Sequence, residues 1–393
     1  MENINNTPPT FTTVSSWDAM NLKEPLLRGI YGYGFEIPSD IQKQAIMPII
    51  EGKDIIAQAQ SGTGKTGSFS ISILERIDVQ QPYTQALILS PTHELVKQTA
   101  DVIRDIGRNM EGLKVKTLVG GSPVREDVIS LKYHTPHIVV GTVGRVLDMF
   151  QKRHLRGDTL KILVMDEADE MLSQGFSEKI RWLFQNYFID SMQVVLFSAT
   201  MPREIVHLSE RFMNAPEKLL MKKEELSLKC IQQYFVAVLH DQMKYERLKE
   251  LFSVLSVSKS IIYCNSVKRV MDLYDWMMHE GFSVCYIHSN MDKNERKNAL
   301  NVFRTSDIRV MISSDITARG IDVQQVSLVI NFDLTRNVHT YLHRIGRGGR
   351  WGRKGMAINF ITKQDIPDIK KIEYYYKIDI NELPADSKQW AFI

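Results

Sequence analysis

At 393 residues the chain is long enough for two or three domains with cores of their own, and 44% hydrophobic with 24% charged residues is the balance of an ordinary soluble globular protein. The net charge is only +3, from 49 Lys and Arg against 46 Asp and Glu, so a nucleic-acid surface would have to come from local clustering and not from bulk charge. Three cysteines, Cys230, Cys264 and Cys285, without C-x-x-C spacing argue against a disulfide framework or a zinc site and point to a reducing compartment. Residues 1–16 lack the basic start and apolar core of a secretory signal, and no apolar run approaches the ~18 residues of a membrane span, so no membrane partner is expected.

In chain order, residues 1–16, rich in Asn, Thr, Ser and Pro, read as a disordered tail. A short helical stretch to about Tyr31 follows, and then Gly34 to Gln42. The apolar run Asp54 to Ala57 leads into Ala59 Gln60 Ser61 Gly62 Thr63 Gly64 Lys65 Thr66, after which Phe69, Ile73, Leu74 and Ile77 recur at helical spacing. Strand, tight loop and helix in that order point backbone N–H groups and a helix N-terminus at one spot. Such a loop cradles phosphates, with Lys65 adding a charge and Thr66 able to reach a magnesium ion, which predicts a nucleoside triphosphate as ligand. Ala59 stands where the general pattern has glycine.

Downstream the sequence repeats one pattern, an apolar run that stops at a polar cluster. Ala86 to Leu89 ends in Ser90 Pro91 Thr92 His93 Glu94 Leu95; Lys116 to Val119 in Gly120 Gly121; Ile138 to Val140 in Gly141 Thr142 Val143 Gly144 Arg145; Ile162 to Met165 in Asp166 Glu167 Ala168 Asp169; and Val194 to Phe197 in Ser198 Ala199 Thr200. Continuous apolar strands between helical segments describe a parallel sheet covered on both faces, whose ligands bind beyond the carboxyl ends of the strands. A composition change near Asn214 to Lys229 reads as a linker, refined to 222–229, which divides a domain over 17–221 from one over 230–393. The second domain repeats the pattern, with Asn265, Ser289, Ser314 and Asp333 at or just beyond strand ends, and has no phosphate loop. The fold class is α/β.

Asp166 and Glu167 beside a phosphate loop suit a triphosphatase, one carboxylate holding the metal through water and the other orienting or deprotonating the attacking water; alone they could equally cap a helix. Between Tyr341 and Gly355, Arg344, Arg347, Arg350, Arg353 and Lys354 alternate with glycines. That is either a basic nucleic-acid loop or a source of arginine fingers, and the missing phosphate loop of the second domain favours fingers.

Taken together these motifs resemble the DEAD-box family of ATP-dependent RNA helicases from about Trp17 onward. The motifs are Gly34 to Gln42, AQSGTGKT, Pro91 to Leu95, Gly120 Gly121, Thr142 to Arg145, DEAD, SAT, Asp315 with Ala318 to Asp322, and HRIGRGGR. Ala59 is usual there. The resemblance implies two RecA-like domains with ATP, Mg²⁺ and single-stranded RNA bound across the cleft between them. Gln42 and Phe35 would recognise adenine; Ser61, Gly62, Thr63, Gly64, Lys65 and Thr66 would hold the phosphates; Thr66 and Asp166 would hold the metal; Glu167 would act as base; and Asp322 would meet the ribose. Arg347 and Arg350 would be the fingers, while Asp169, Ser198, Thr200 and His343 would couple ATP to RNA. Thr92, Gly121, Thr142, Gly144, Arg145, Asn265, Arg296, Ser314 and Arg319 match positions that grip the RNA backbone.

His93, Val143 and the pair Ser289 Asn290 depart from the family pattern of arginine, proline and Gly-Asp, all in RNA-facing motifs. Within the family the resemblance is closest to the eukaryotic initiation factor 4A subgroup and its exon-junction paralogue. The implied protein is a cytoplasmic or nuclear monomer with scaffold or initiation-factor partners that unwinds duplexes locally. An RNA clamp of low turnover and a DNA-directed helicase are the alternatives.

Overall fold

The computed structural model describes residues 14–59, 63–173, 175–201, 203–220, 231–255, 259–315, 326–346 and 355–384. The chain divides into two compact units, Met1–Met221 and Lys222–Ile393. The first runs α1 (Glu24–Gly32), α2 (Asp40–Ile50), β1 (Ile55–Gln58), α3 (Lys65–Arg76), β2 (Ala86–Leu89), α4 (His93–Ile106), β3 (Val115–Leu118), α5 (Val124–Tyr133), β4 (Ile138–Gly141), α6 (Val143–Gln151), β5 (Ile162–Met165), α7 (Ala168–Ser173), α8 (Ser177–Asn186), β6 (Gln193–Ser198), α9 (Arg203–Phe212) and β7 (Glu217–Leu220). Its seven strands pair parallel in the order β3-β4-β2-β5-β6-β1-β7.

The second unit runs β8 (Ile231–Ala237), α10 (Met243–Val254), β9 (Lys259–Tyr263), α11 (Val267–His279), β10 (Val284–Ile287), α12 (Lys293–Thr305), β11 (Val310–Ser313), β12 (Val326–Asn331), α13 (Val338–Ile345), β13 (Gly355–Ile361), α14 (Ile366–Tyr376) and β14 (Asn381–Glu382). Its sheet, again parallel, has the order β10-β11-β9-β12-β13-β8-β14. Both units are RecA-like α/β layers.

The apolar runs are continuous because each sheet is covered on both faces, and successive side chains feed opposite cores. In β5, Ile162 and Val164 enter the core shared with α2, α3 and α4, while Leu163 and Met165 enter the one shared with α6 and α8. In β9, Ile261 and Tyr263 face one core of the second unit and Ile262 the other.

Two strands escape the apolar-run pattern. β7 lies in the stretch read as the approach to the linker; it follows Pro216 and, among the described residues, is an edge strand that pairs only with β1. β14 is two exposed residues added beside β8. Val14, placed by sequence in the tail, packs against the first core, where Trp17 is fully buried. Linker residues 222–229 lie outside the described residues, as do 1–13.

Helix α1 meets α4 so closely that a Cβ on Gly29 would lie 1.7 Å from the Ile106 carbonyl oxygen. Gly29→Ala should therefore force the two helices apart and destabilise the first unit by about 1–3 kcal/mol. The expected signature is a lower urea midpoint at unchanged slope; an unchanged midpoint would contradict this packing.

Candidate active site and nucleic-acid interface

Strand β1 hands the chain to α3 through the phosphate-loop sequence. Ser61 and Gly62 lie outside the described residues, but Thr63 and Gly64 lead directly into the helix. Gly64, with φ of 104°, is the N-cap. A Cβ there would lie 2.6 Å from Ser39 Oγ and 3.0 Å from Gln42 Nε2, so only glycine fits.

Gln42, buried on α2, accepts the Ser39 N–H through Oε1 at 2.7 Å and donates Nε2–H to the Gly64 carbonyl at 3.4 Å. The first contact is the return half of a capping box. Phe35 stacks on Trp17 with centroids 6.2 Å apart and meets Tyr33 edge-on at 4.9 Å. Its ring lies so near Gly67 that a Cβ there would approach it to 3.0 Å. Phe35, Gln42 and the end of the phosphate loop thus form one locus.

Lys65, the first residue of α3, is 5% exposed and donates to Glu167 Oε1 at 3.1 Å. This pair joins the phosphate loop to the end of β5. Glu167 holds φ of 51°, a left-handed conformation rare outside glycine and common at functional sites. Asp166 Oδ1 accepts the Glu167 N–H at 3.0 Å.

Burial, and then the charge of Glu167, push Asp166 up to about 7 against the opposing pull of Lys65. For Lys65 burial acts downward, but Glu167, Asp166 and Asp169 together outweigh it and raise the ammonium pKa. Three buried carboxylates thus face one buried ammonium, an acid excess that a dication would relieve. Among the described residues no three His, Cys, Asp or Glu side chains form a metal cage. The hard oxygen donors of Asp166 and Thr66 are of the kind that would suit Mg²⁺.

Asp169 Oδ2 accepts the Thr200 hydroxyl at 2.6 Å, tying α7 to the end of β6. The Ser198 hydroxyl donates to the Thr200 carbonyl at 2.6 Å. The expected link of DEAD to SAT is therefore made through Thr200.

Thr92, Gly121, Thr142 and Gly144 all lie just past the carboxyl ends of β2, β3 and β4, which are neighbours in the sheet. Thr92 caps α4 by accepting the Leu95 N–H at 3.3 Å, Gly121 has φ of 77°, and Thr142 precedes α6 with its N–H on Leu118 O at 2.9 Å. Arg145 is different. Its guanidinium is buried, pairs with Asp127, and donates to the Ser122 carbonyl at 2.8 Å and the Ser122 hydroxyl at 3.2 Å.

In the second unit Asn265 is exposed just beyond β9, its Oδ1 accepting from Arg344 at 2.7 Å and its Nδ2 donating to Leu334 O at 2.9 Å. Arg344, fully buried, also donates to Asp315 Oδ1 at 2.6 Å, Asn331 Oδ1 at 3.1 Å and Asp333 O at 2.7 Å, and lies over the Tyr263 ring. The motif names it only as part of an arginine loop; its role as the hub of three strand ends is missed because sequence does not say which arginine turns inward. Ser314 sits buried just past β11, and Arg296 on α12 donates to the Met291 and Ser289 carbonyls at 3.0 and 2.7 Å. His343 is buried on α13. Arg319, Asp322, Arg347 and Arg350 lie outside the described residues.

Because Gly64 touches both Ser39 and Gln42, Gly64→Ala should weaken ATP binding by tenfold or more, on the order of 1.4 kcal/mol. Titration with a fluorescent ATP analogue checks it; wild-type affinity in a folded variant would contradict the contact.

Residues 39–208 match the DEAD/DEAH box helicase family and residues 243–352 the helicase conserved C-terminal domain. The chain is 49% identical over 374 residues to the ATP-dependent RNA helicase eIF4A of Neurospora crassa, covering 95% of this chain and 94% of that one. It is 48% identical to the eIF4A of Eremothecium gossypii, with 95% and 93% covered. Among solved structures, S. cerevisiae Dbp5 bound to RNA and ADP BeF3 superposes with a TM-score of 0.86 at 31% identity, over 96% of this chain and 97% of that one. Near-half identity over almost the whole of both chains, with the two helicase modules matched in order, makes this chain a member of the DEAD/DEAH box helicase family.

Proposed function

We propose that the protein is an ATP-dependent RNA helicase of the initiation factor 4A kind, using RNA-stimulated ATP hydrolysis to separate short duplexes locally. The carrying observation is the buried Lys65–Glu167 pair, which brings the phosphate loop and the DEAD carboxylates together at one end of the first sheet. Relatives nearly half identical over 95% of the chain bear the name ATP-dependent RNA helicase.

Gln42 has one amide N–H and one lone pair left after its contacts to Gly64 and Ser39, which is the pair an adenine edge needs. Phe35 supplies the adjacent ring. The α3 N-terminus with Ser61 to Thr66 receives the phosphates, and Lys65 transfers its attraction from Glu167 to them. Asp166 and the Thr66 hydroxyl would hold Mg²⁺, which would supply neutralisation of the phosphate charge. Glu167, released from Lys65, accepts a proton from water as its oxygen attacks the γ-phosphorus and ADP departs. We assign Asp322 to the ribose and Arg347 and Arg350 to charge developing on the transferred phosphoryl group.

RNA backbone is assigned to Thr92, Gly121, Thr142 and Gly144 in the first unit and to Asn265, Arg296, Ser314 and Arg319 in the second. Small hydroxyl and glycine positions suit phosphate and 2′-hydroxyl contact without reading bases. Asp169, Ser198, Thr200 and His343 carry the coupling. The protein would act as a cytoplasmic monomer with scaffold or initiation-factor proteins.

Steady-state ATP hydrolysis with and without single-stranded RNA tests this. RNA should raise turnover; Glu167→Gln should lower kcat about 10² to 10⁴-fold while ATP still binds, and Arg347→Gln should lower it about 10³-fold or more. Turnover that stays near background although ATP and RNA bind together would replace the helicase with a low-turnover RNA clamp.

A further inference from the structure

Of the positions assigned to RNA by resemblance, Arg145 has a guanidinium that is committed elsewhere. It pairs with Asp127 of α5, which is itself 3% exposed and also meets Lys116 of β3 at 3.0 Å. Its other N–H groups go to the Ser122 carbonyl at 2.8 Å and the Ser122 hydroxyl at 3.2 Å, and that hydroxyl donates to the Val119 carbonyl at 2.9 Å. Arg145 is the third residue of α6, and Thr142, whose N–H bonds Leu118 O, stands just before that helix. One buried fork therefore fixes the turn 119–122, containing left-handed Gly121, against the start of α6 that carries Thr142 and Gly144.

We propose that Arg145 is a positioning residue and not an RNA ligand: Asp127 holds its guanidinium on Ser122, and the pair sets the spacing between the Gly121 turn and the Thr142–Gly144 turn so that one stretch of RNA backbone meets both. This rests on the RNA-binding reading above. It inverts the simple electrostatic expectation. Removing an acid near a polyanion site ordinarily strengthens binding, and neutralising Asp127 would also free Arg145 to reach phosphate. If the ion pair positions the turns, neutralising Asp127 must instead weaken binding.

The test is single-stranded RNA affinity of the full chain with ATP, measured by fluorescence anisotropy over a range of salt, with thermal melting of each variant alongside. Asp127→Asn should bind about tenfold more weakly, the scale of one misplaced hydrogen bond, with Asp127→Glu restoring most of the loss. Arg145→Lys keeps the charge but not the fork; it should lose affinity to a similar degree while the log–log salt slope stays at the wild-type value. It gives the second reading should Asp127→Asn fail to fold. Binding by Asp127→Asn as tight as or tighter than wild type would overturn the proposal. So would Arg145→Lys with wild-type affinity, or a slope that falls by about 0.7, the share of one phosphate contact on a single strand. A wild-type chain that binds no single-stranded RNA would instead remove the RNA reading beneath it, and the proposal with it.

Discussion

The interaction on which the catalytic half depends is the ion pair of Lys65 with Glu167, 102 residues apart in sequence and 3.1 Å apart in space. Two charges withdrawn from water are costly, and leaving either unpaired would cost about 3–5 kcal/mol. The pair therefore persists until something better occupies Lys65. Triphosphate oxygens, already attracted by the α3 N-terminus, are such a competitor. On the proposed assignment of Glu167 as base, the lysine that neutralises it is the one a triphosphate would claim, so nucleotide binding and liberation of the base would be a single exchange. Burial, reinforced by the neighbouring Glu167 charge, lifts Asp166 to about 7, and the site holds more carboxylates than its own cation can balance.

Each unit gathers its chemistry at the carboxyl ends of a parallel sheet, yet the two use a buried cation in opposite ways. Lys65 has a carboxylate partner that a ligand can replace. Arg344 has four acceptors on Asn265, Asp315, Asn331 and Asp333, and a ring beneath it. A guanidinium satisfied on that many sides gains nothing by leaving them. It fixes the loops after β9, β11 and β12 relative to one another, and Asp333 tightens the same knot by accepting the Asn265 N–H at 3.1 Å. The first unit is thus poised for exchange and the second is preassembled around Asn265.

Sequence exposed most of this because the governing features are backbone features. Apolar runs covered on both faces mark strands without ambiguity, and Gly64, Thr92 and Thr142 act through φ, capping or helix starts that their residue types announce. β7 and β14 were missed for the converse reason: an edge strand after Pro216 that buries Leu219 alone among its described side chains, and a two-residue exposed strand, offer too few buried positions to make a pattern. Side-chain direction is where the reading gave out. Arg145 and Arg344 stand in basic-looking motifs, and only the neighbours Asp127, Asp315 and Asn331, far away in sequence, show that both guanidinium groups turn into the protein.

The departures from the family pattern fall where backbone supplies the geometry. Val143 replaces proline at the first position of α6, the one helical position where the missing N–H of proline makes no difference, and its side chain is buried in the core. At Ser289 Asn290 the Arg296 guanidinium holds the Ser289 and Met291 carbonyls, contacts indifferent to which side chains the turn carries. His93 differs in kind. It lies beside Gly120, where a Cβ would come within 3.6 Å of its Nε2, while the arginine of the family pattern carries a permanent charge. Where a turn is held by its backbone the side chain is free to vary; in charge, His93 stands for a permanently cationic arginine and Asn290 for an aspartate, so these two departures, unlike Val143, change the electrostatics of the surface.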